Sequence, residues 1–254
     1  MRLKTWLDSL LQVLVPRTCT VCGTVLSPGE QWLCGVCLSH LPRTGWKGAR
    51  NNVLERHFAE VKPGVHEAPA VCRAHALMYY EAASAYSRML LAIKYYDKPK
   101  VAVAWGRMLA ADLQGTDFFS GADMLLPVPL SQQRLRQRGY NQSERLAEGI
   151  AQLTGLPVNT TAVVRVRHNP SQTHLSQQER HANVQQLFAV RHPEQLQGRH
   201  LVLVDDVITY GYTLKSCMQA ILAVCPDVRF SVLSLAASSA YRLKTAPRHV
   251  HAWD

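Results

Sequence analysis

An acidic pair and the turn that follows it carry the strongest chemical signal in the chain. Asp205 and Asp206 come directly after the apolar residues 201–204 and precede a turn with hydroxyl groups and a glycine. Backbone N–H groups at a helix start can surround a phosphate, because aligned peptide dipoles favour an anion there. Carboxylates would repel that phosphate but accept strong hydrogen bonds from vicinal ribose hydroxyls. We therefore predict a ribose 5-phosphate site, whose phosphate is held by Thr209, Tyr210, Gly211, Tyr212 and Thr213.

Hydrophobic periodicity predicts the elements that position these residues. The apolar run 201–204 is typical of a strand buried on both faces of a parallel sheet. Apolar residues recur at helical spacing from Leu214 to Leu222, and residues 231–235 have the composition of a second strand. Such a unit needs a right-handed crossover, and its ligands bind beyond the carboxyl ends of the strands. The alternative is an acid pair that only caps a helix after a core strand.

The rest of the chain alternates predicted strands and helices, which indicates an α/β fold with a parallel sheet flanked by helices. Residues 43–70, rich in glycine, asparagine and proline, read as an irregular connector. After the connector we predict an edge strand at 74–80, helices at 84–95 and 98–113, a strand at 122–129, a helix at 141–154 and a strand at 160–166.

Four cysteines near the start of the chain have the spacing of a metal site. Two CxxC pairs are separated by eleven residues, and their cysteines are Cys19, Cys22, Cys34 and Cys37. This spacing suits tetrahedral coordination of a structural Zn²⁺, in which four sulfur ligands leave no position open for chemistry. Two disulfides or free thiols are the alternatives, and a reducing cytoplasm disfavours disulfides.

The segment before the cysteines is amphipathic. Leucines and a tryptophan lie on one helical face of residues 1–15, and Asp8 and Gln12 interrupt the apolar stretch, unlike a signal peptide. The helix either packs on its own domain or binds a partner or a membrane surface. No apolar run approaches the ~20 residues that span a bilayer, so we expect no transmembrane segment and a cytoplasmic protein.

Two basic segments are candidates for binding a diphosphate. The first contains Arg134, Arg136 and Arg138 at alternate positions after the strand at 122–129, and we expect a loop there. The second, residues 165–184, is long and polar in its first half, as is typical of a lid that excludes water from a reacting ribose. Its candidate cations are Arg165, Arg167 and Arg180. The alternative for the first segment is a solvated basic loop.

The acid pair and its turn resemble the signature of type I phosphoribosyltransferases over all thirteen positions from 201 to 213, except that bulky Tyr210 and Tyr212 replace small residues. With the motifs at 92–95, 134–142 and 172–183 and the cysteine module, the chain resembles the ComF family, which is linked to bacterial competence. The resemblance implies three parts: a helix and zinc module at 1–42, a connector at 43–70 and a phosphoribosyltransferase-like domain at 71–254.

That resemblance leaves two functions open. The first is an enzyme that binds PRPP (5-phosphoribosyl 1-diphosphate) with Mg²⁺ and transfers ribose 5-phosphate to an unidentified acceptor, releasing pyrophosphate. The second is a non-catalytic fold that binds single-stranded DNA or the competence machinery during DNA uptake. The formal net charge of +10 favours anionic partners of both kinds and so does not separate them.

Overall fold

The computed structural model describes residues 17–64, 67–95, 99–166 and 187–243. Its centre is a four-stranded, wholly parallel sheet with strand order β1-β6-β5-β2. Two further strands, β3 and β4, pair antiparallel in a separate hairpin. The strands are β1 (Val71–Tyr80), β2 (Met124–Pro127), β3 (Val163–Arg165), β4 (Phe188–Val190), β5 (His200–Ile208) and β6 (Arg229–Ser238).

Eight α-helices lie within the described residues, and most connect successive strands. They are α1 (Gly35–Ser39), α2 (Val53–Phe58), α3 (Ser87–Tyr95), α4 (Pro99–Asp112), α5 (Gln132–Arg138), α6 (Gln142–Thr154), α7 (Tyr212–Leu222) and α8 (Ala240–Leu243). The predicted alternation of strands and helices is therefore present.

The sheet buries a hydrophobic cluster on each face. One cluster joins the inward residues of α2 and α7 to the β3–β4 hairpin. The other joins α3, α4 and α6 to the cysteine module, so that this module packs on the main core. Burial on both faces explains why β5 begins as a continuous apolar run.

Helices α4 and α6 cross at very close range, at a point where both carry glycine. A Cβ atom on Gly106 would lie 2.0 Å from the carbonyl oxygen of Leu146, and one on Gly149 would lie 2.0 Å from that of Val103. No side chain fits such a gap, so the two glycines set the distance between the helices. Because α6 also supports the candidate site, this crossing fixes one wall of it.

The structure differs from the sequence-based expectations in four places. Strand β5 is longer than the predicted apolar run 201–204 and continues through Asp205 and Asp206 to Ile208. The three arginines of the expected loop lie on helix α5. The connector 43–70 contains helix α2, with a capping box formed by Asn52 and Glu55. The strand expected at 160–166 is shorter and belongs to the hairpin.

Candidate functional site

A cleft of about 280 Å³ lies where the carboxyl ends of β2 and β5 meet the helices that follow them. We call it the central cleft. Its polar wall carries four cationic side chains, two carboxylates and several hydroxyl and amide groups. These residues are Lys94, Arg134, Arg138, Gln142, Ser143, Arg165, Asp205, Asp206, Thr209 and Thr213. Charges of both signs around a small cavity suit an anionic ligand that also carries hydroxyl groups.

Asp205 lies deep in the central cleft. Its Oδ1 accepts hydrogen bonds from the hydroxyl of Ser143 at 3.3 Å and from the backbone N–H of Asp206 at 2.9 Å. Burial, and next the negative charge of Asp206, raise the pKa of Asp205 to about 7. Although part of the side chain still meets solvent in the cleft, protein atoms surround the carboxyl group. At neutral pH it therefore exists in both its protonated and its charged form.

Asp206 faces a cation from a different part of the chain. Its Oδ2 lies 3.1 Å from Nζ of Lys94, near the end of α3. Lys94 was not among the residues predicted for the site, although the surrounding segment 92–95 contributes to the family resemblance. Only the packing of α3 beside β5 brings these two charges together. The two charges neutralise each other, and an incoming ligand can replace this ion pair with contacts to its own groups.

The turn after β5 has the backbone geometry of an anion site. Gly211 is the N-cap of α7 with a positive φ of 74°, a conformation that glycine adopts without strain. No side chain caps α7, whereas side chains cap α2, α5 and α6. The first N–H groups of α7 are thus without a side-chain acceptor, as a helix that receives a phosphate requires. Thr209 and Thr213 line the central cleft on either side of this turn.

The two unusual tyrosines of this turn point away from the cleft. Their rings stack with centroids 6.0 Å apart. Tyr210 is 71% exposed and Tyr212 is 45% exposed, and neither lines the central cleft. The bulk of these two side chains therefore does not crowd the cavity.

Helix α5 divides the three predicted arginines. Residues four apart share a helix face, whereas a residue between them lies on another face. Accordingly, Arg134 and Arg138 line the central cleft and Arg136 does not. The side chain of Ser131 starts this helix by accepting from the N–H of Arg134 at 3.4 Å, and Gly139 ends it in the left-handed conformation. The loop predicted from the sequence gave no reason to separate Arg136 from the other two arginines.

Of the three lid candidates, the structure describes only Arg165, and it places this residue on β3 at the wall of the central cleft. Arg167 and Arg180 lie outside the described residues. Burial, and next the charge of Arg134, lower the pKa of Arg165, and its Nε is buried without a hydrogen-bond partner. Nε2 of Gln142, also in the cleft wall, is another buried donor without a partner. An anion bound in the central cleft would reduce the repulsion between the arginines.

The four early cysteines converge, as their spacing predicts. Their sulfur atoms all lie within 4.8 Å of one another, and those of Cys22 and Cys34 are 3.7 Å apart. Four ligands at the Zn–S distance of about 2.3 Å form a tetrahedron with edges of about 3.8 Å. None of the four is in a disulfide. Hydrogen bonds from Thr24 lower the pKa of Cys22 to about 6, which favours the thiolate that a metal binds.

Three residues of the cleft were missed by sequence reasoning. Lys94, Gln142 and Ser143 carry no local signal of ligand binding, since each lies within an ordinary helical pattern. Asn141 and Gln142 belong to a motif that the family resemblance quotes, and Asn141 caps α6 by accepting from the N–H of Ser143. For Gln142 that motif was the available signal, and it indicated the segment without a role for each residue.

Comparison with known proteins gives this site a context. A family model described as a phosphoribosyl transferase domain matches residues 140–251, which include the acid pair and its turn. The DNA utilization protein YhgH of Escherichia coli strain K12 is 29% identical over 213 residues, which cover 82% of this chain and 92% of that protein. Competence protein F of Haemophilus influenzae is 36% identical over 93 residues, covering 36% and 41% of the two chains. The matched domain and these relatives support a ComF-family, phosphoribosyltransferase-like protein.

The resemblance to the ComF family agrees with the fold. A parallel sheet flanked by helices, a phosphoribosyltransferase-type domain and a four-cysteine cluster were all predicted, and all are confirmed. Among solved structures, glutamine phosphoribosylpyrophosphate amidotransferase from B. subtilis aligns at 22% identity over 56% of this chain and 30% of its own. Its TM-score of 0.37 is too low to support an argument. No helix in the described ranges has the length and hydrophobicity of a membrane span.

Proposed function

We propose that this ComF-family protein binds PRPP in the central cleft and transfers its ribose 5-phosphate to a nucleophilic acceptor, with release of pyrophosphate. The observation that carries this proposal is the convergence of an acid pair, an uncapped helix start and several cations on one cleft. In a site for a simple anion, two carboxylates would repel the ligand. A sugar site without phosphate has no use for the arginines.

Each group then has a role that its chemistry supports. Asp206 accepts hydrogen bonds from one ribose hydroxyl, and Asp205, with a pKa of about 7, both donates to and accepts from the other. The first amides of α7, with Thr209 and Thr213, surround the 5-phosphate. Arg134 and Arg138 stabilise the negative charge that grows on the departing diphosphate, and Arg165, which also lines the cleft, contributes a third cation.

The transfer breaks one bond at C1 of the ribose and forms another at the same atom. The C1–O bond to the diphosphate breaks, the diphosphate leaves with the electron pair, and the acceptor forms the new bond at C1. Mg²⁺, which binds mainly through substrate phosphates with a few protein oxygens, would enter with PRPP and neutralise part of the diphosphate charge. Asp205 and Asp206 are the cleft carboxylates that fit such an ion. Positioning and electrostatic stabilisation account for catalysis in this scheme.

Titration calorimetry with PRPP and Mg²⁺ tests the proposal, and helix α5 offers a matched control. We expect Arg134→Ala and Arg138→Ala to weaken PRPP binding about tenfold or more, because each removes a charge-assisted contact. Arg136→Ala removes the same charge outside the cleft, so we expect a much smaller effect. Equal losses in all three variants would indicate a general charge effect and refute the assignment. A pyrophosphate-release screen across nitrogen-containing acceptors then tests transfer.

A second function, the binding of single-stranded DNA, is favoured by a separate observation. The exposed pair Tyr210 and Tyr212 offers stacking surfaces for bases on a protein of net charge +10. The names of the relatives point to DNA utilization and competence. We expect the double variant Tyr210→Ala/Tyr212→Ala to lower the affinity for oligothymidine at least fivefold while PRPP binding persists. Unchanged DNA affinity would contradict this role.

The cysteine cluster is proposed to hold one structural Zn²⁺. Cys19 and Cys37 are buried beside the main core, and burial with the crowding of the other sulfurs raises the pKa of Cys37. A divalent cation at the centre of the cluster would remove that penalty by stabilising the thiolate. The four-sulfur donor set fits zinc in its closed, structural form.

A further inference from the structure

Helix α2, in the segment expected to be an irregular connector, is firmly attached to the sheet. The side chain of Asn52 accepts from the N–H groups of Leu54 and Glu55 and donates to the carbonyl of Ala74 on β1 at 2.8 Å. The carboxylate of Glu55 lies 3.1 Å from Nε of Arg73, a buried side chain of the same strand. Leu54 and Phe58 are fully buried. The helix is therefore a rigid part of the core.

The end of α2 contacts the turn after β5, residues 209–213, at two points; we call this turn the phosphate turn after its proposed role. Nε2 of His57 lies 3.1 Å from the carbonyl oxygen of Tyr210. A Cβ atom on Gly211 would lie 2.8 Å from the same Nε2 and 3.2 Å from Phe58, so the turn is packed directly on the helix.

An ion pair holds the following helix to the same segment. Nζ of Lys215 on α7 lies 2.5 Å from Oε1 of Glu60, just after α2. Three contacts thus attach the turn and the first part of α7 to α2 and the residues just after it. A loop that only covers the core would not require these three contacts.

The contact with Tyr210 bears directly on the amides of the turn. In a trans peptide the C=O and the following N–H point in opposite directions, and the unit is planar. A hydrogen bond from His57 that holds the carbonyl of Tyr210 against α2 therefore directs the N–H of Gly211 away from α2. Preorganised N–H groups bind an anion more tightly, because less conformational entropy is lost on binding.

We propose that His57 is a positioning residue, which holds the phosphate turn in its binding conformation from the segment between the cysteine module and the sheet. This inference rests on the proposed function of the turn. His57 does not line the central cleft, so it acts through the backbone of Tyr210 and Gly211. Strain at Gly211 and loss of the His57 contact should have the same consequence, a less ordered turn.

The test compares three variants of the full chain. His57→Ala removes the contact, His57→Gln keeps a side-chain N–H donor, and Arg56→Ala changes an exposed residue of the same helix. Hydrogen exchange of the peptide that covers residues 209–215 reports the order of the turn without ligand. Calorimetry with ribose 5-phosphate reports its binding, and urea unfolding reports global stability.

We expect His57→Ala to speed exchange in this peptide at least fivefold and to weaken ribose 5-phosphate binding about tenfold, which corresponds to about 1.4 kcal/mol. His57→Gln should restore at least half of each effect on a logarithmic scale, and Arg56→Ala should leave both unchanged. Unchanged exchange in His57→Ala overturns the inference, as does a uniform rise in exchange that merely follows lower global stability. If the native protein binds no ribose 5-phosphate, the proposed function fails, and the exchange data alone decide the role of His57.

Discussion

Replacing Asp205 by asparagine is expected to make the protein more stable while it removes ribose phosphate binding. The carboxyl group is held in the fold with a pKa of about 7, against 3.8 in the unfolded chain. A difference of that size corresponds to about 4 kcal/mol lost at a pH above both values. Asparagine keeps the shape and the oxygen that accepts from Ser143 and from the backbone of Asp206, and it carries no charge to bury.

The sign of the pH dependence follows from the raised pKa. As the pH rises from 4 to 7, the unfolded chain releases the Asp205 proton while the folded chain retains it, so the native protein loses stability over this range. Solvent in the cleft screens part of the penalty. We therefore expect the stability advantage of Asp205→Asn to grow by about 2 kcal/mol between pH 5 and pH 8.

Urea unfolding at pH 5, 6, 7 and 8, followed by tryptophan fluorescence, measures this difference. Asp123→Asn is a control of opposite sign, because the N–H of His200 lowers the pKa of Asp123 through a bond of 2.7 Å. Its removal should cost the same stability from pH 5 to pH 8, and the cost should shrink only as the pH falls below the unfolded value of 3.8. A constant gap between native protein and Asp205→Asn at every pH would refute the reasoning about burial.

Three further predictions concern the scaffold. Gly106→Ala should cost about 3 kcal/mol or more in chemical unfolding, since its Cβ would meet a carbonyl at 2.0 Å; a loss below about 1 kcal/mol would mean that the helices separate easily. Metal analysis should find about one zinc per chain, and Cys34→Ser should lower that content and the Tm; full stability in excess chelator would contradict a structural metal. Arg73→Ala should cost about 3 kcal/mol, because it leaves the largely buried Glu55 without its cation, and Arg73→Ala/Glu55→Ala should recover part of the loss.

Local chemistry explains which parts of the site were predictable. The acid pair, the glycine of the turn and the cysteine spacing each act within a few residues, so their types and order carry the signal. The periodicity from Leu214 to Leu222 likewise predicted α7, because a helix records its buried face in the sequence. The roles assigned to the individual site residues stay predictions until binding is measured.

Arg136 illustrates what the sequence could not decide. Alternate arginines all face one way in an extended loop, but in a helix the middle one turns away. The segment forms a helix, which the side chain of Ser131 caps at its start and Gly139 ends in the left-handed conformation. Each of these two signals is too common in sequences to predict a helix alone. The end of β5 is a similar case. The two acids continue the strand because β6 supplies backbone partners as far as Ala237, a long-range effect that local preference does not reveal.

By itself the sequence determined the reactive groups and the order of the elements that carry them. Only the tertiary structure decided which groups share a cavity: it set Lys94 beside Asp206, brought Arg165 to the wall of the central cleft, and packed α2 against the turn after β5. The physical reason is that these contacts join residues far apart in the chain. Their formation depends on how whole layers pack around the sheet, and no short segment records that packing.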